Sequence, residues 1–338
     1  MRLTGLASAR ARSRIATLLL ASALAACGGA PGGRSVRVVV PSGATFREAT
    51  DSLARAGVIR SPFLFRIYAK LGDHDRTVKA GTYRLPTGAK WSTVLDALTT
   101  GKTAVGTVTI PEGYSLAQII PLLARTLDVA PESIAVATRD TALLHELDVP
   151  TPTLEGYLFP STYTFPEGTP PRAAVAEMVH EFERRWQPAW DAQLQQLAMS
   201  RHDVMTLASI VEKEARLPEE RPVISAVYHN RLKRGMLLQA DPTVQYARGQ
   251  HTERVLYRDL EVDSPYNTYR HAGLPPGPIA SPGSPSIEAA LFPANVPYLY
   301  FVAHPDGHHE FRTTYTEHER AVREIRSGGS SRATQRGR

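Results

Sequence analysis

A single cysteine, Cys27, occurs in 338 residues. No intrachain disulfide can form, and one thiol close to the amino terminus leaves no nucleophile for a cysteine enzyme. The chain has no Gly-x-Ser-x-Gly elbow, which removes the usual serine-hydrolase arrangement. It has no phosphate loop and no dinucleotide fingerprint, so nothing asks for a nucleotide cofactor. His304, His308, His309 and His318 gather around Glu310, but none falls in the His-Glu-x-x-His spacing that puts two ligands on one helical face. They read as solvent-facing histidines at a hairpin tip, and no metal or cofactor is expected. Positive charge is also scarcer than the formal net charge of +6 suggests. Arg2, Arg10, Arg12 and Arg14 lie in the first 26 residues, and Arg332, Arg336 and Arg338 lie beyond Arg326. Neither segment carries an acid, so the body between them is near neutral, at about −1. A nucleic-acid partner therefore loses its electrostatic footprint.

The amino terminus reads as a targeting segment. Its four arginines precede a short apolar run, Ile15 to Ala26, which falls short of the roughly twenty residues a membrane span needs but fits a secretory signal. The run closes with Leu24-Ala25-Ala26-Cys27 and Gly28-Gly29. This resembles a bacterial lipobox, in which the cysteine is lipidated and becomes the mature amino terminus. A plain signal peptide and an uncleaved anchor are the alternatives. The body is expected outside the cytoplasm, tethered to the cell membrane on its periplasmic side.

The length suits two domains. Beyond a signal over 1–26 and a linker over 27–35, the pattern gives an amino-terminal region over 36–150 and a second domain over 151–326. A disordered Gly/Ser/Arg tail over 327–338 follows. Val36–Val40 alternates as a strand; Thr45 opens a helix to Ala56, and a second helix runs Phe63–Leu71. Lys79–Leu85 reads as a strand, followed by a helix capped by Ser92 and a strand over Val105–Ile110. Strand, helix and strand so close together imply a small α+β unit. Helices follow over Leu116–Thr126, Glu132–Thr138, Ala142–Leu147, Arg172–Trp186, Asp203–Arg216 and Pro222–Lys233. Beyond Gly235 the chain is loop-rich until a strand at Tyr298–Ala303, turned into a partner near Glu310–Thr313. A last helix spans Glu317–Ile325. The fold class is α+β, a small subdomain followed by a mixed domain with long irregular loops.

Two features point to chemistry. In Ser209-Ile210-Val211-Glu212-Lys213-Glu214, Leu207, Ala208, Val211 and Ala215 recur at helical spacing, and Glu212 sits at the margin of that apolar stripe. A carboxylate there loses solvation and its pKa should rise, as a general acid requires. Glu212 and Arg216 are also four apart, the spacing of an ordinary surface ion pair. The second feature is a set of loops rich in amides, hydroxyls and tyrosines: Gln239, Asp241, Thr243, Gln245 and Tyr246, then Ser264 to Tyr269, then Gly273 to Ile279. Long irregular loops commonly build a site. Such side chains suit a neutral, hydroxyl-rich ligand such as a glycan, although the prolines equally suit a stiff connection.

Taken together, Glu155 to Tyr163, the Ser209–Glu214 run, Asn230-Arg231-Leu232, Leu238 to Tyr246, Ser264 to Tyr269, Gly273 to Ile279 and Tyr298 to Ala303 resemble the endolytic murein transglycosylase family, also called MltG or YceG-like. The segments occur in the family's order and cover Val36 to Ile325. The resemblance implies a LysM-like subdomain at about 79–112 and a carboxy-terminal catalytic domain whose essential acid is Glu212, with Glu214 only its neighbour. It implies cleavage of the β-1,4 bond between N-acetylmuramic acid and N-acetylglucosamine in nascent strands without water. The products are 1,6-anhydromuramyl ends and terminated strands. One carboxyl serves as acid and then as base, since the nucleophile is the sugar's own hydroxyl. Gln239, Asp241, Thr243, Tyr246, Asn267, Thr268 and Tyr269 are the candidates for holding the sugar. The implied partners are peptidoglycan strands and the polymerases that make them. Family members commonly carry a transmembrane helix where this chain has its lipobox-like cysteine. The alternatives are a peptidoglycan-binding lipoprotein without catalysis and a water-using muramidase with a second carboxylate, Asp241 or Glu155.

Overall fold

The computed structural model describes residues 33–72, 78–101, 103–249 and 256–335. The expected signal over 1–26 and the lipidation site Cys27 lie outside these residues. Among the described residues no helix is long and apolar enough to cross a membrane.

The chain forms two compact units. One comprises the residues up to Gly106 together with Thr164–Thr169, and the other comprises Thr107–Tyr163 together with Pro170 onward. Residues 107–150, grouped by sequence with the amino-terminal region, thus belong to the second unit.

The first unit runs strand β1 (Ser35–Val40), helix α1 (Phe46–Arg55), helix α2 (Pro62–Leu71), strand β2 (Gly81–Pro86) and helix α3 (Trp91–Thr100). Thr45 opens α1 with a reciprocal capping box: its hydroxyl accepts from the Glu48 N–H, and the Glu48 carboxylate accepts from the Thr45 N–H. Ser61 caps α2, and Pro62 fills its first turn where a missing N–H does no harm. β1 and β2 pair antiparallel, Ser35 opposite Pro86 and Val40 opposite Gly81. Alternation turns Val38 and Val40 inward onto Leu53, Phe65, Tyr83 and Leu98, while Val39 faces out. β2 therefore finds its partner before it in the chain. The strand–helix–strand unit expected over 79–110 does not close on itself, because strand β3 (Val105–Thr109) pairs instead with β4 (Thr162–Pro166).

The second unit is mainly helical. Helices α4 (Leu116–Leu127), α5 (Pro131–Ala137), α6 (Thr141–Glu146), α7 (Pro171–Arg185) and α8 (Pro188–Leu197) lead to α9 (Arg201–Glu214). Ser200 and Asp203 form the capping box that starts α9. Every residue from Val204 to Val211 is buried, so α9 is enclosed on all sides rather than along one stripe. The hydroxyls in that run find carbonyls within the helix: Thr206 Oγ1 donates to the His202 carbonyl at 2.8 Å and Ser209 Oγ to the Thr206 carbonyl at 2.7 Å.

After α10 (Arg221–Lys233), the stretch read as loop contains two further helices, α11 (Asp241–Ala247) and α12 (Ser284–Leu291). α12 packs on α9. The proline-rich segment ahead of α12 is buried from Pro278 to Gly283 and threads the interior. The Ile279 N–H donates to Ser209 Oγ at 3.0 Å, the Gly113 N–H to the Ser281 carbonyl at 2.8 Å, and the Ser281 N–H to the Tyr114 carbonyl at 2.8 Å. These bonds make it a structural connection, with Ile279 also bordering an open cleft. Strands β5 (Tyr300–Ala303) and β6 (His309–Arg312) form the expected hairpin, but His309 is buried and its Nδ1 lies 2.6 Å from Glu220 Oε2. Helix α13 (Tyr315–Gln335) continues past Ile325, through most of the stretch expected to be a disordered tail.

Candidate active site

The last turn of α9 carries Glu212, Lys213 and Glu214. Successive residues on a helix point about 100° apart, so these three enter three different surroundings. The helix ends there because Ala215 adopts an extended conformation. Carboxylates in a final turn also face the negative end of the backbone dipole.

Glu214 faces a cavity of about 300 Å³ that it lines together with Tyr228, Arg231, Gln239, Asp241 and Tyr269. Burial pushes its carboxyl up to about 7; a hydrogen bond from Tyr228 opposes the rise and the nearby charge of Asp241 adds to it. Tyr228, on α10, donates its hydroxyl to Glu214 Oε1 at 3.0 Å. Tyr269 donates to Asp241 Oδ1 at 2.5 Å, and Asp241 is the first residue of α11. The buried Arg231 guanidinium donates to the carbonyls of Leu299 at 2.7 Å and Leu238 at 2.6 Å, which ties α10 to the hairpin and to the approach to Gln239. Gln239 itself has φ 49, a left-handed conformation unusual for a residue other than glycine. Such strain gathers at functional sites.

Three of the expected sugar-holding residues do something else. Thr243 and Thr268 are fully enclosed, with their hydroxyls 2.9 Å apart; Thr243 Oγ1 donates to the Ala240 carbonyl and Thr268 Oγ1 accepts from the Ala240 N–H. Asn267 is enclosed too, its amide donating to the carbonyls of Leu260 and Val262 and its oxygen accepting from the Tyr269 N–H. With their polar groups used internally, these residues shape the loops that present Gln239, Asp241 and Tyr269.

Glu212 lies in a different place. Its Oε2 accepts from Ser286 Oγ at 2.6 Å and from the Gly283 N–H at 3.2 Å, at the start of α12. Its ion-pair partner is Arg221, at 3.7 Å, rather than Arg216. Arg221 Nε also donates to Ser286 Oγ at 3.0 Å. Glu112 joins this cluster: burial and the charge of Glu212 raise its pKa, and Arg221 offsets part of the rise. A Cβ at Gly283 would stand 1.9 Å from Glu112 Oε1, so the Glu112 carboxyl packs directly on this glycine and would have to move to admit a side chain. The Glu212 side chain is 7% exposed and lines neither the Glu214 cavity nor the cleft beside Lys213. Its contacts are those of a buried clamp between α9, α10 and α12.

Lys213 points a third way, donating to the Gly113 carbonyl at 3.3 Å. It borders a cleft of about 270 Å³ walled by the first turn of α4 and by Gln245 and Tyr246 of α11. Tyr246 donates to Glu155 Oε2 at 3.3 Å, and Glu155 Oε1 accepts from the Leu116 N–H at 2.9 Å. Burial raises the Glu155 carboxyl to about 7.

Of the residues chosen from sequence, the structure thus gathers Gln239, Asp241 and Tyr269 in one cavity and sets Tyr246 in the neighbouring cleft. Sequence reasoning missed Tyr228, Arg231 and the exposure of Glu214 to the cavity. The one signal available was an arginine and a tyrosine three apart on the same helix.

The profile of the YceG-like family matches residues 38–324. A Bacillus subtilis (strain 168) protein named endolytic murein transglycosylase is 35% identical over 302 residues, covering 85% of this chain and 84% of that protein. A protein of the same name from Streptococcus pneumoniae serotype 2 (strain D39) is 32% identical over 322 residues, and the match spans 86% of this chain but 58% of that longer protein. The 2.6 Å crystal structure of a yceG-like protein from Listeria monocytogenes superposes with a TM-score of 0.60 at 34% identity, covering 86% of this chain and 100% of the other. By profile, relatives and fold alike, the chain belongs to the YceG-like family.

Proposed function

We propose that this protein is a peptidoglycan lytic transglycosylase whose acid–base group is Glu214. The observation that carries the reading is a buried carboxyl brought to about 7 on the wall of a polar cavity able to seat a saccharide. A group of that pKa is half protonated near neutrality, which suits one carboxyl to both halves of a reaction. Glu214 gives its proton to the bridging oxygen as the bond from the muramyl anomeric carbon to that oxygen breaks. The resulting carboxylate takes the proton of the muramyl 6-hydroxyl, whose oxygen bonds to the same anomeric carbon. The 1,6-anhydro ring closes, Glu214 regains its proton, and no water is consumed. Asp241, Tyr269 and Gln239 are placed to orient the sugar, and Tyr228 to hold the acid.

This reading moves the acid from Glu212, the residue the family resemblance implied, to Glu214. Support comes from the contacts of Glu212, which are taken up by Ser286, Gly283 and Arg221. Incubation with uncross-linked glycan strands, followed by mass spectrometry of the chain ends, tests it. Glu214→Gln should abolish 1,6-anhydromuramyl ends, while Glu212→Gln should leave them detectable in proportion to folded protein. The opposite pattern returns the role to Glu212. Strand binding with no product from the unaltered protein would favour a non-catalytic binder.

A second reading rests on Asp241, which shares the cavity with Glu214. Two carboxyls across a glycosidic bond permit a water-using muramidase. Reducing ends that take up oxygen-18 from solvent would select it. We extend the proposal to a lipid anchor at Cys27, a periplasmic-side location, work beside peptidoglycan polymerases to terminate strands, and glycan association by a LysM-like amino-terminal unit. These rest on the sequence features above.

A further inference from the structure

We propose that the cleft beside Lys213 is a second ligand site, taking a carboxylate borne on the 3-O-lactyl group of the muramyl sugar. The inference rests on the saccharide reading of the Glu214 cavity and extends it sideways. Lys213 is half-buried and spends one donor on the Gly113 carbonyl at 3.3 Å. An ammonium has three donors, so among the described residues two remain. Among the described residues no carboxylate stands within ion-pair distance of this nitrogen; the ion pair at this helix end is formed by its neighbour Glu212 with Arg221. A half-buried ammonium at the edge of an open cleft of about 270 Å³ is suited to receive an anion.

One wall is positive and the other neutral. One is the first turn of the 12-residue helix α4, where the backbone dipole is positive. Another carries the amide of Gln245 and the ring of Tyr246. The Glu155 carboxyl, on the Tyr246 hydroxyl, is already engaged by that hydroxyl and by the Leu116 N–H.

Position identifies the ligand. Helix α9 sends Glu214 into the catalytic cavity and Lys213 into the cleft; α11 sends Asp241 into the cavity and Gln245 and Tyr246 into the cleft. A ligand that occupies both needs a sugar at one end and an anion at the other. The muramyl residue has that form. Its lactyl ether ends in a carboxylate when bare, and in a peptide bearing carboxylates when substituted. Both sources present the same charge, and Lys213 would select muramyl-containing strands over neutral glycans.

Calorimetric binding tests this with Glu214→Gln protein, which leaves ligands intact. The probes are a muramyl tetrasaccharide with its stem peptides, the same tetrasaccharide stripped by an amidase, and an uncharged N-acetylglucosamine tetramer. One charge-assisted contact should favour an anionic probe over the neutral one by about tenfold, with the gap closing as salt is raised. Lys213→Met should bring that ratio close to one, and Lys213→Arg should keep most of it. Preference for the stripped probe assigns the lactyl carboxylate; preference for the substituted one assigns the peptide. A ratio near one with Lys213 in place, or the same ratio in Lys213→Met, overturns the proposal. Cleavage by protein with Glu214 intact is scored separately. Cleavage without charge preference sinks only the cleft assignment, whereas binding preference without cleavage sinks only the transglycosylase reading.

Discussion

Glu214→Gln should make the protein more stable at alkaline pH while removing its proposed catalytic group. In the folded chain burial holds the Glu214 carboxyl at about 7, against an ordinary value of 4.5. Below the ordinary value both folded and unfolded chains keep the proton, and pH does not discriminate between them. From there to about pH 7 the unfolded chain releases its proton and the folded one does not, so stability falls as pH rises. Above the folded value both are ionised and the loss levels off. The interval is about 2.5 pH units, and at roughly 1.4 kcal/mol per unit the full loss lies between about 3 and 4 kcal/mol. Glutamine copies the neutral acid and still accepts from Tyr228, so it escapes this loss. Urea unfolding of both proteins at pH 4.5, 6 and 8, followed by fluorescence, measures it; Trp186 and Trp190 report on the second unit and Trp91 on the first. The variant should match the parent at pH 4.5 and exceed it by about 3 kcal/mol at pH 8. A difference that is the same at every pH, or parent protein more stable at pH 8, would refute a carboxyl kept neutral by its surroundings.

The rate of anhydro-end formation should fall about tenfold per unit above pH 7 as Glu214 loses its proton, and this limb should persist in Glu155→Gln, measured by initial rates between pH 5 and 9. Arg221→Met leaves Glu112 and Glu212 facing each other without their shared cation, and should lower stability by about 3 kcal/mol at pH 8; calorimetry should find a smaller loss at acidic pH, because burial and the charge of Glu212 raise the Glu112 carboxyl. Gly156 has φ 86, and a Cβ there would stand 2.3 Å from Pro278 Cβ. Gly156→Ala should therefore destabilise the second unit by at least about 2 kcal/mol in urea titration.

Local chemistry made part of this structure readable in advance. Thr45 with Glu48, and Ser61 with Pro62, mark their helix starts without help from the rest of the fold, and the β5–β6 hairpin follows from one apolar strand and the Pro-Asp-Gly turn after it. Features decided by distant neighbours were not readable. The partner of β2 is set by a strand over forty residues earlier. Short helices α11 and α12 begin at prolines that, in sequence, look like loop punctuation. The acid shows the difference most clearly. Helical spacing ranks Glu212 by its own helix, where it borders an apolar stripe. What separates it from Glu214 is brought by other elements: Ser286 and Arg221 satisfy the first, while Tyr228 and Asp241 surround the second.

Because α9 is enclosed from Val204 to Val211 and fans its final three side chains into unrelated surroundings, the spacing between Ser200 and Ala215 behaves as a ruler. Adding or deleting one residue within it would rotate the whole tip by about 100°. An insertion would swing the clamp carboxylate into the lysine's place, a deletion would put the lysine in the clamp, and either way the functions at the tip would be misdirected together. Tolerance to length change should therefore be nil along this rod, however conservative the inserted residue.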